Sequence, residues 1–155
     1  MREPLLDVQE LERRLAGEFP ETFNAESGLS IQQVWHGGGR VRLGFASGSL
    51  RPGGTISGPT MMMLADVTMY VAVLASIGWE PLAVTTSLNI NFLRKPPARA
   101  LLAEARLLKL GKQLAVGDVS IRSEGEEELV AHATSTYAIP PATRLLPDGN
   151  ITPKL

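Results

Sequence analysis

Residues 59–77 read PTMMMLADVTMYVAVLASI, the longest apolar stretch of this 155-residue chain. The stretch is about as long as a membrane span, but Asp66 lies inside it, and centring a carboxylate in lipid costs at least a few kcal/mol. Pro59 suits the first position of a helix, and Gly78 suits its end. We therefore predict a helix over about residues 59–77 that is buried on all sides by the rest of the protein.

The chain before this helix predicts an amphipathic helix and a pair of strands. Apolar residues from Leu5 to Phe19 recur at roughly helical spacing, with Glu and Arg on the other face. Two short extended segments follow, joined by glycines, and then a stretch rich in glycine. The predicted elements are a helix over about 4–17, strands over 29–35 and 40–46 around Gly37-Gly38-Gly39, and a loop over 47–58.

Four extended segments follow the apolar helix. In Val84–Leu93 apolar residues alternate with Thr85, Ser87, Asn89 and Asn91, which gives a period of two with an unusually polar second face. Three further segments, at 99–110, 113–122 and 128–138, are separated by hairpin-turn residues.

This element order predicts the fold class α+β, with an antiparallel sheet wrapped around the apolar helix. The length fits one domain, over 1–140. Residues 141–155 form a proline-rich tail that we expect to be ordered only where it docks.

Composition excludes several kinds of chemistry. The chain has 15 Lys+Arg against 16 Asp+Glu, so nothing favours a nucleic-acid partner. It has no cysteine and only two histidines, His36 and His132, which excludes thiol nucleophiles, iron–sulfur clusters, cysteine zinc sites and a three-histidine metal site within one chain. We expect no metal and no membrane association, and the charged first residues, unlike a signal peptide, favour a cytoplasmic location.

Asp66 is the first candidate for catalysis. Its helical neighbours are methionines and a tyrosine, and a buried charge is costly unless it is paired or hydrogen-bonded. One interpretation is structural, with a partner such as Arg51 or a subunit interface satisfying the carboxylate. The other is a carboxylate placed for general-base or nucleophilic work.

Gly58 is the second candidate, because its backbone N–H at the start of the helix is free to polarise a carbonyl or hold an oxyanion. The plainer interpretation of Ser57-Gly58-Pro59 is a helix cap. Gly58 and Asp66 are eight residues apart and do not share a face closely. A two-fold interface would bring the amide of one helix to the carboxylate of the partner's.

Four blocks of the sequence resemble the hotdog-fold acyl-CoA thioesterases of the 4-hydroxybenzoyl-CoA thioesterase superfamily, most closely the phenylacetate-pathway type. They are GGTISGPTMMMLADVTMYVA (53–72), AVTTSLNINFLRKPPA (83–98), AEARLLKLGKQLAVGDVSI (103–121) and LVAHATSTYAI (129–139). The resemblance implies a five- or six-stranded antiparallel sheet around the long helix, and homodimers that pair into homotetramers with active sites shared between subunits.

The resemblance also implies roles for three residues. The amide of Gly58 would polarise the thioester carbonyl, Asp66 would activate water or attack directly, and the Thr85 hydroxyl would orient the water. The sequence departs from the family pattern at three positions: Ser57 replaces a histidine, Arg51 replaces an asparagine and Pro59 replaces a second glycine.

The remaining candidates are substrate contacts, and they include Ser57 at the position of the family histidine. Arg51 could grip a carboxylate on the acyl chain or a CoA phosphate, and Met62 could line an acyl pocket or simply pack in the core. Asn89 and Asn91 could bind the pantetheine amides or lie at a subunit interface. The cations proposed for the CoA phosphates, or else ordinary solvated strand ends, are Arg94, Lys109 and Lys112.

The predicted activity is hydrolysis of an acyl-CoA to a carboxylic acid and CoA, with no cofactor, since CoA is part of the substrate. The alternative is a non-catalytic acyl-CoA- or lipid-binding protein of the same fold. A hotdog hydratase ranks last, because the sequence lacks an Asp-x-x-x-x-His arrangement.

Overall fold

The computed structural model describes residues 2–46, 48, 50–141, 143–145 and 151–153, and the last two ranges by their backbone only. Its helices and strands follow in chain order. They are α1 Val8–Glu18, β1 Leu29–Trp35, β2 Gly38–Leu43, β3 Leu50–Arg51, β4 Thr55–Ile56, α2 Gly58–Ile77, β5 Val84–Phe92, β6 Leu101–Leu110, β7 Leu114–Ser123, β8 Leu129–Ala138, β9 Thr143–Leu145 and β10 Ile151–Pro153.

One antiparallel sheet forms the body of the protein. Its six strands lie in the order β1-β2-β6-β7-β8-β5, and every neighbouring pair is antiparallel. The apolar helix α2 packs against strands across the whole width of this sheet. The predicted α+β hotdog architecture, a sheet wrapped around one long apolar helix with a second helix before it, is confirmed.

Helix α2 begins and ends where the sequence predicted, within one residue. The Ser57 side chain caps it by accepting from the Thr60 N–H, and Gly78, with φ of 96°, ends it. The helix is long and apolar enough to cross a membrane, but 67% of its most apolar window is buried inside the protein. Its burial is incomplete in one respect, since Met62, Asp66 and Tyr70 form a partly open stripe at four-residue spacing.

The first helix starts later than predicted, at Val8 rather than near residue 4. The Asp7 carboxylate accepts a hydrogen bond of 2.8 Å from the Glu10 N–H, which makes Asp7 the cap. The residues before it run along α2, where the Leu5 N–H donates to the Ala75 carbonyl at 2.7 Å. The buried side of α1 carries Leu11 and Leu15.

The glycine hairpin is tighter than the sequence suggested. Its turn is His36-Gly37, with Gly37 at a φ of 95°, and β2 already begins at Gly38. A side chain at Gly38 would collide with the Trp35 ring, 2.4 Å from the position of its Cβ, so glycine allows the strand to continue there. The predicted loop over 47–58 contains the short β3–β4 hairpin, which the glycine content concealed.

The four strands predicted after α2 are present as β5 to β8, with bounds within about two residues of those expected. The tail holds two short paired strands, β9 and β10, which the sequence did not predict. Residues 142, 146–150 and 154–155 of the predicted tail lie outside the described residues.

Gly117 lets α2 approach the centre of the sheet. A Cβ built there would lie 2.7 Å from the Arg106 carbonyl oxygen and 2.9 Å from the Met69 sulfur. We expect Gly117→Ala to lower the free energy of unfolding by about 1–3 kcal/mol, because backbone must shift to accommodate it.

The matched control is Gly17→Ala, which places the same methyl group inside α1 with nothing within 4 Å. This change should stabilise the protein by about 0.5–1 kcal/mol through helix propensity. Denaturant unfolding of both variants measures the difference, and equal effects would contradict the close packing of α2 on β7.

Candidate active site

The Asp66 carboxylate is held by two hydroxyl groups from the sheet. The Thr85 hydroxyl on β5 donates to Oδ1 at 2.5 Å, and the Tyr137 hydroxyl on β8 lies 2.9 Å from the same oxygen and 3.1 Å from the Asp66 main-chain oxygen. Thr85 and Tyr137 are cross-strand partners, so both hydroxyls reach the helix from the same place. The apolar surroundings of Asp66 are thus compensated by hydrogen bonds, as burial of a carboxylate requires.

A β-bulge determines which way Thr85 faces. The register of β5 with β8 shifts between Thr85 and Ser87, so Thr86 is an extra residue without a paired partner. Strict alternation would place Thr85 on the side away from Leu88 and Ile90, as the sequence analysis assumed. The bulge reverses the alternation and puts all three on the side that faces α2.

The Asp66 side chain has a second carboxylate oxygen, Oδ2, and the residue lines a groove. Among the described residues no donor reaches Oδ2, whereas Oδ1 accepts two hydrogen bonds. The groove has a volume of about 420 Å³, at the lower end of the roughly 300–1,000 Å³ usual for ligand pockets. Its apolar wall comes from α1, α2 and the segment after α2: Leu15, Phe19, Val67, Tyr70, Trp79 and Leu82.

Tyr137 is the site residue that sequence reasoning missed. Its side chain is 2% exposed, and burial raises the pKa of its hydroxyl well above the ordinary value, so it remains a donor to Asp66 at neutral and alkaline pH. In the sequence it looks like one more inward-facing residue of a strand. The one available signal was that a buried tyrosine hydroxyl usually needs a partner.

Gly58 lies at the first position of α2, away from Asp66. The eight residues between them correspond to about 12 Å along the helix axis, so one chain does not bring the amide and the carboxylate to the same carbonyl. Gly58 packs instead against Phe92 at the far end of β5, where a Cβ would come within 3.2 Å of the ring.

Ser57 and Arg51 have separate positions near the start of α2. The Ser57 hydroxyl lies 2.8 Å from the Thr60 hydroxyl and caps the helix, which is a structural role. Arg51 is exposed on β3. In the described part of the chain its guanidinium makes no ion pair, and Asp66 is bound by hydroxyls instead.

Three predicted substrate contacts lie on different sides of the sheet. Met62 is 40% exposed and precedes Asp66 by one turn on the open stripe of α2. Asn89 and Asn91 are exposed on the opposite side of the sheet, where they pair with Thr134 and His132. The structure therefore places Met62 one turn from Asp66, outside the lining of the groove, and turns the two asparagines to the other side of the sheet.

The predicted phosphate contacts lie at opposite ends of the sheet. Arg94 follows β5 at the Gly58 end and pairs with Glu128 at 3.1 Å. Lys109 and Lys112 are exposed at the β6–β7 turn, near the end of the sheet where Asp66 lies. They do not form one cluster within a single chain.

The chain belongs to the thioesterase superfamily, whose family model matches residues 53–130, about half of the chain. The matched segment holds Gly58, Asp66 and Thr85. This membership confirms the resemblance on which the predicted roles of those residues rest, and it supports thioester hydrolysis as the class of reaction.

Individual relatives agree with this assignment. A crystal structure from Silicibacter sp. TM1040, provisionally named a thioesterase, is 48% identical with a TM-score of 0.81, covering 90% of this chain and 95% of that one. The phenylacetic acid degradation protein PaaI of Thermus thermophilus, solved as a single-residue variant, is 26% identical with a TM-score of 0.67, covering 77% and 98%. A protein of Saccharolobus solfataricus that carries a provisional esterase name is 29% identical over 136 residues, 88% of this chain and 87% of that protein.

The raised pKa of Tyr137 predicts a loss of stability at alkaline pH. Above the ordinary tyrosine pKa of about 10, the unfolded chain ionises while the folded chain keeps this hydroxyl neutral. The free energy of unfolding therefore falls as pH rises beyond about 10. Tyr137→Phe should flatten that fall in denaturant titrations at increasing pH.

Tyr70→Phe is the comparison, since Tyr70 is half-buried, donates to the Pro81 carbonyl at 2.8 Å and lies 6.0 Å from the Tyr137 ring. Its pKa is also raised, through burial and the Glu18 charge, so this variant should flatten the fall less. A Tyr137→Phe protein with the pH dependence of the wild type would contradict the assignment.

Proposed function

We propose that the protein hydrolyses acyl-CoA thioesters, with Asp66 as the reactive carboxylate. The observation that carries the proposal is the Asp66 arrangement: two hydroxyls fix Oδ1, no described donor reaches Oδ2, and the residue lines an apolar groove. Held in this way, the carboxylate has one free oxygen in a fixed direction, which is the geometry a general base needs.

The reaction requires one carboxylate, one amide and water. Water attacks the thioester carbonyl carbon while Asp66 accepts a proton from it. The Thr85 hydroxyl, which binds Asp66, orients the attacking water. The carbonyl oxygen gains negative charge, which a backbone N–H at a helix start stabilises. The C–S bond then breaks, and the CoA thiolate leaves as thiol after taking the proton. The same groups also allow a second route. Asp66 attacks the thioester carbonyl carbon directly and releases CoA, and water then hydrolyses the anhydride between Asp66 and the acyl group.

The two halves of the site are best joined by a second copy of the chain. Strand β5 is an edge strand of the sheet, and no strand among the described residues pairs with its outer side. Asp66 lies beside one end of β5, at Thr85, and Gly58 lies beside the other, at Phe92. If β5 pairs antiparallel with its copy about a two-fold axis, each end meets the opposite end of the partner strand. Asp66 then lies close to Gly58 of the partner subunit.

The same pairing supports a role for the predicted CoA contacts. Arg51, Ser57 and Arg94 lie at the Gly58 end of β5, and Lys109 and Lys112 lie at the Asp66 end. A two-fold arrangement would bring the cations among them, Arg51, Arg94, Lys109 and Lys112, to one site, where they would face the CoA phosphates. A Streptococcus mutans protein of the same fold, 23% identical to this chain, has been solved with acetyl CoA bound.

A non-catalytic acyl-CoA- or lipid-binding protein of this fold is the second candidate, favoured by the departures at Arg51, Ser57 and Pro59. It would be stabilised against heat by CoA esters without releasing CoA. Measuring thiol release and thermal stabilisation on the same acyl-CoA panel separates the two functions.

Asp66→Asn tests the role of the carboxylate. The amide keeps the size and an acceptor for Thr85 and Tyr137 but accepts no proton, so we expect kcat for acyl-CoA hydrolysis to fall by about 10²–10⁴-fold. Assays of free thiol over short, medium, long and aromatic acyl-CoAs measure the loss.

Asp118→Asn is the matched control. Asp118 is also partly buried, but it lies on the other side of the sheet, 3.0 Å from His132, which the sequence analysis had not paired with an acid. Burial opposes its ionisation, yet the hydrogen bonds from His132 and Arg106 lower its pKa. This variant should keep its activity, and an Asp66→Asn enzyme as active as the control would refute the catalytic role.

Hybrid dimers test the shared site. Gly58→Val crowds the amide, and Asp66→Asn removes the base, so each variant alone should be inactive. When the two are unfolded and refolded together, half of the dimers are hybrids with one intact site, and roughly a quarter of the wild-type activity should return. Sedimentation of each variant first verifies that it dimerises. No recovery from dimeric variants would place both groups in one chain.

A further inference from the structure

The apolar groove beside Asp66 is also lined by an acidic side chain that the proposed reaction does not use. Glu18 is the last residue of α1 and lines the groove together with Tyr70 and Trp79. Tyr70 follows Asp66 by four residues, about 6 Å further along α2. An acyl group that starts at Asp66 and follows the groove therefore runs towards Glu18.

Glu18 follows Leu11 and Leu15 at the spacing that continues one face of its helix. Unlike those two leucines, Glu18 is exposed. Its side chain therefore lines the groove while remaining in contact with solvent. The charge of Glu18 also acts on the Tyr70 hydroxyl, whose pKa it raises in addition to the effect of burial.

No cation neutralises Glu18 within the described residues. Arg14, one turn earlier, is already engaged, because its Nε donates to Glu10 at 2.7 Å and its guanidinium stacks on Trp79 at 5.4 Å. The groove thus combines apolar walls with one unpaired negative charge beyond the reacting carboxylate.

We propose that Glu18 is a specificity-determining residue, which admits uncharged acyl groups and rejects acyl groups that carry a distal carboxylate. The inference rests on the proposed function in placing the acyl group in this groove. Two carboxylates brought together at the groove end repel each other, while an uncharged chain of the same length gains apolar contact with Phe19, Trp79 and Leu82. Part of the wall that carries this selection comes from α1 and from Phe19 directly after it, which precede the segment that the family model matches.

Hexanoyl-CoA and adipoyl-CoA form the test pair, since they differ only in the terminal carboxylate. Wild-type kcat/KM should favour hexanoyl-CoA by about tenfold or more, the size of a like-charge contact near a protein surface. Glu18→Gln should raise kcat/KM for adipoyl-CoA about tenfold, mainly through KM, and leave hexanoyl-CoA nearly unchanged. Glu18→Lys should favour adipoyl-CoA further.

Glu21→Gln is the control for net charge, because Glu21 is exposed and does not line the groove. It should leave the preference as in the wild type. A wild type without preference, or a Glu18→Gln enzyme that changes both substrates equally, would overturn the proposal.

Binding measurements with substrate analogues test the role of Glu18 independently of the proposed hydrolysis. The thioether analogues S-hexyl-CoA and S-(5-carboxypentyl)-CoA carry the same two ends and are not hydrolysed. If no acyl-CoA is turned over but calorimetry shows the same tenfold preference and its loss in Glu18→Gln, the selection by Glu18 stands and the proposed hydrolysis does not. If the wild type binds neither analogue and hydrolyses neither ester, the proposal for Glu18 is overturned as well.

Discussion

The bond between the Asp66 carboxylate and the hydroxyls of Thr85 and Tyr137 constrains the rest of this structure. A carboxylate in an apolar helix is tolerated only where donors reach it. Here both donors come from neighbouring strands at one edge of the sheet, and both bind the same oxygen. The helix is therefore fixed relative to β5 and β8 in rotation and in height, and so is the second carboxylate oxygen, which no described donor reaches.

That constraint also explains which parts of the structure could be predicted from the sequence. The apolar run with its Pro59 start and Gly78 end specifies α2, and alternating segments with turn residues specify the strands, because both patterns are local. Asp66 was identifiable because it alone interrupts the helix with a charge. The orientation of Thr85 was not, because the bulge at Thr86 arises from pairing with β8, fifty residues away in the chain. Tyr137 could not be predicted as a site residue for a similar reason, because only the folded sheet shows that its hydroxyl has Asp66 as a partner.

A single chain holds half of the chemistry that the family resemblance implies. The amide of Gly58 and the carboxylate of Asp66 lie on one rigid helix, so no change in loop conformation brings them together. When β5 pairs antiparallel with the β5 of a second copy, each end of the strand lies beside the opposite end of its partner. The two groups then meet without any distortion of the chain. We propose that a second copy of the chain pairs with the exposed, polar edge of β5, where no other described strand pairs, and that this assembly buries Thr85 and its hydrogen bond.

The division of the chain between reaction and specificity follows from the same geometry. The proposed reacting groups lie within residues 53–130, the segment shared with the thioesterase superfamily, and the sheet fixes them against α2. Helix α1, whose buried residues are Leu11 and Leu15, contributes Leu15 and Glu18 to the lining of the groove. Substitutions on the inner face of α1 alter the groove while leaving the bonds of Asp66 intact, because none of those bonds involves α1. Such a fold can change which acyl groups it accepts while keeping the same reacting residues. In this chain, a single glutamate at the end of a helix is enough to disfavour acyl groups that carry a negative charge.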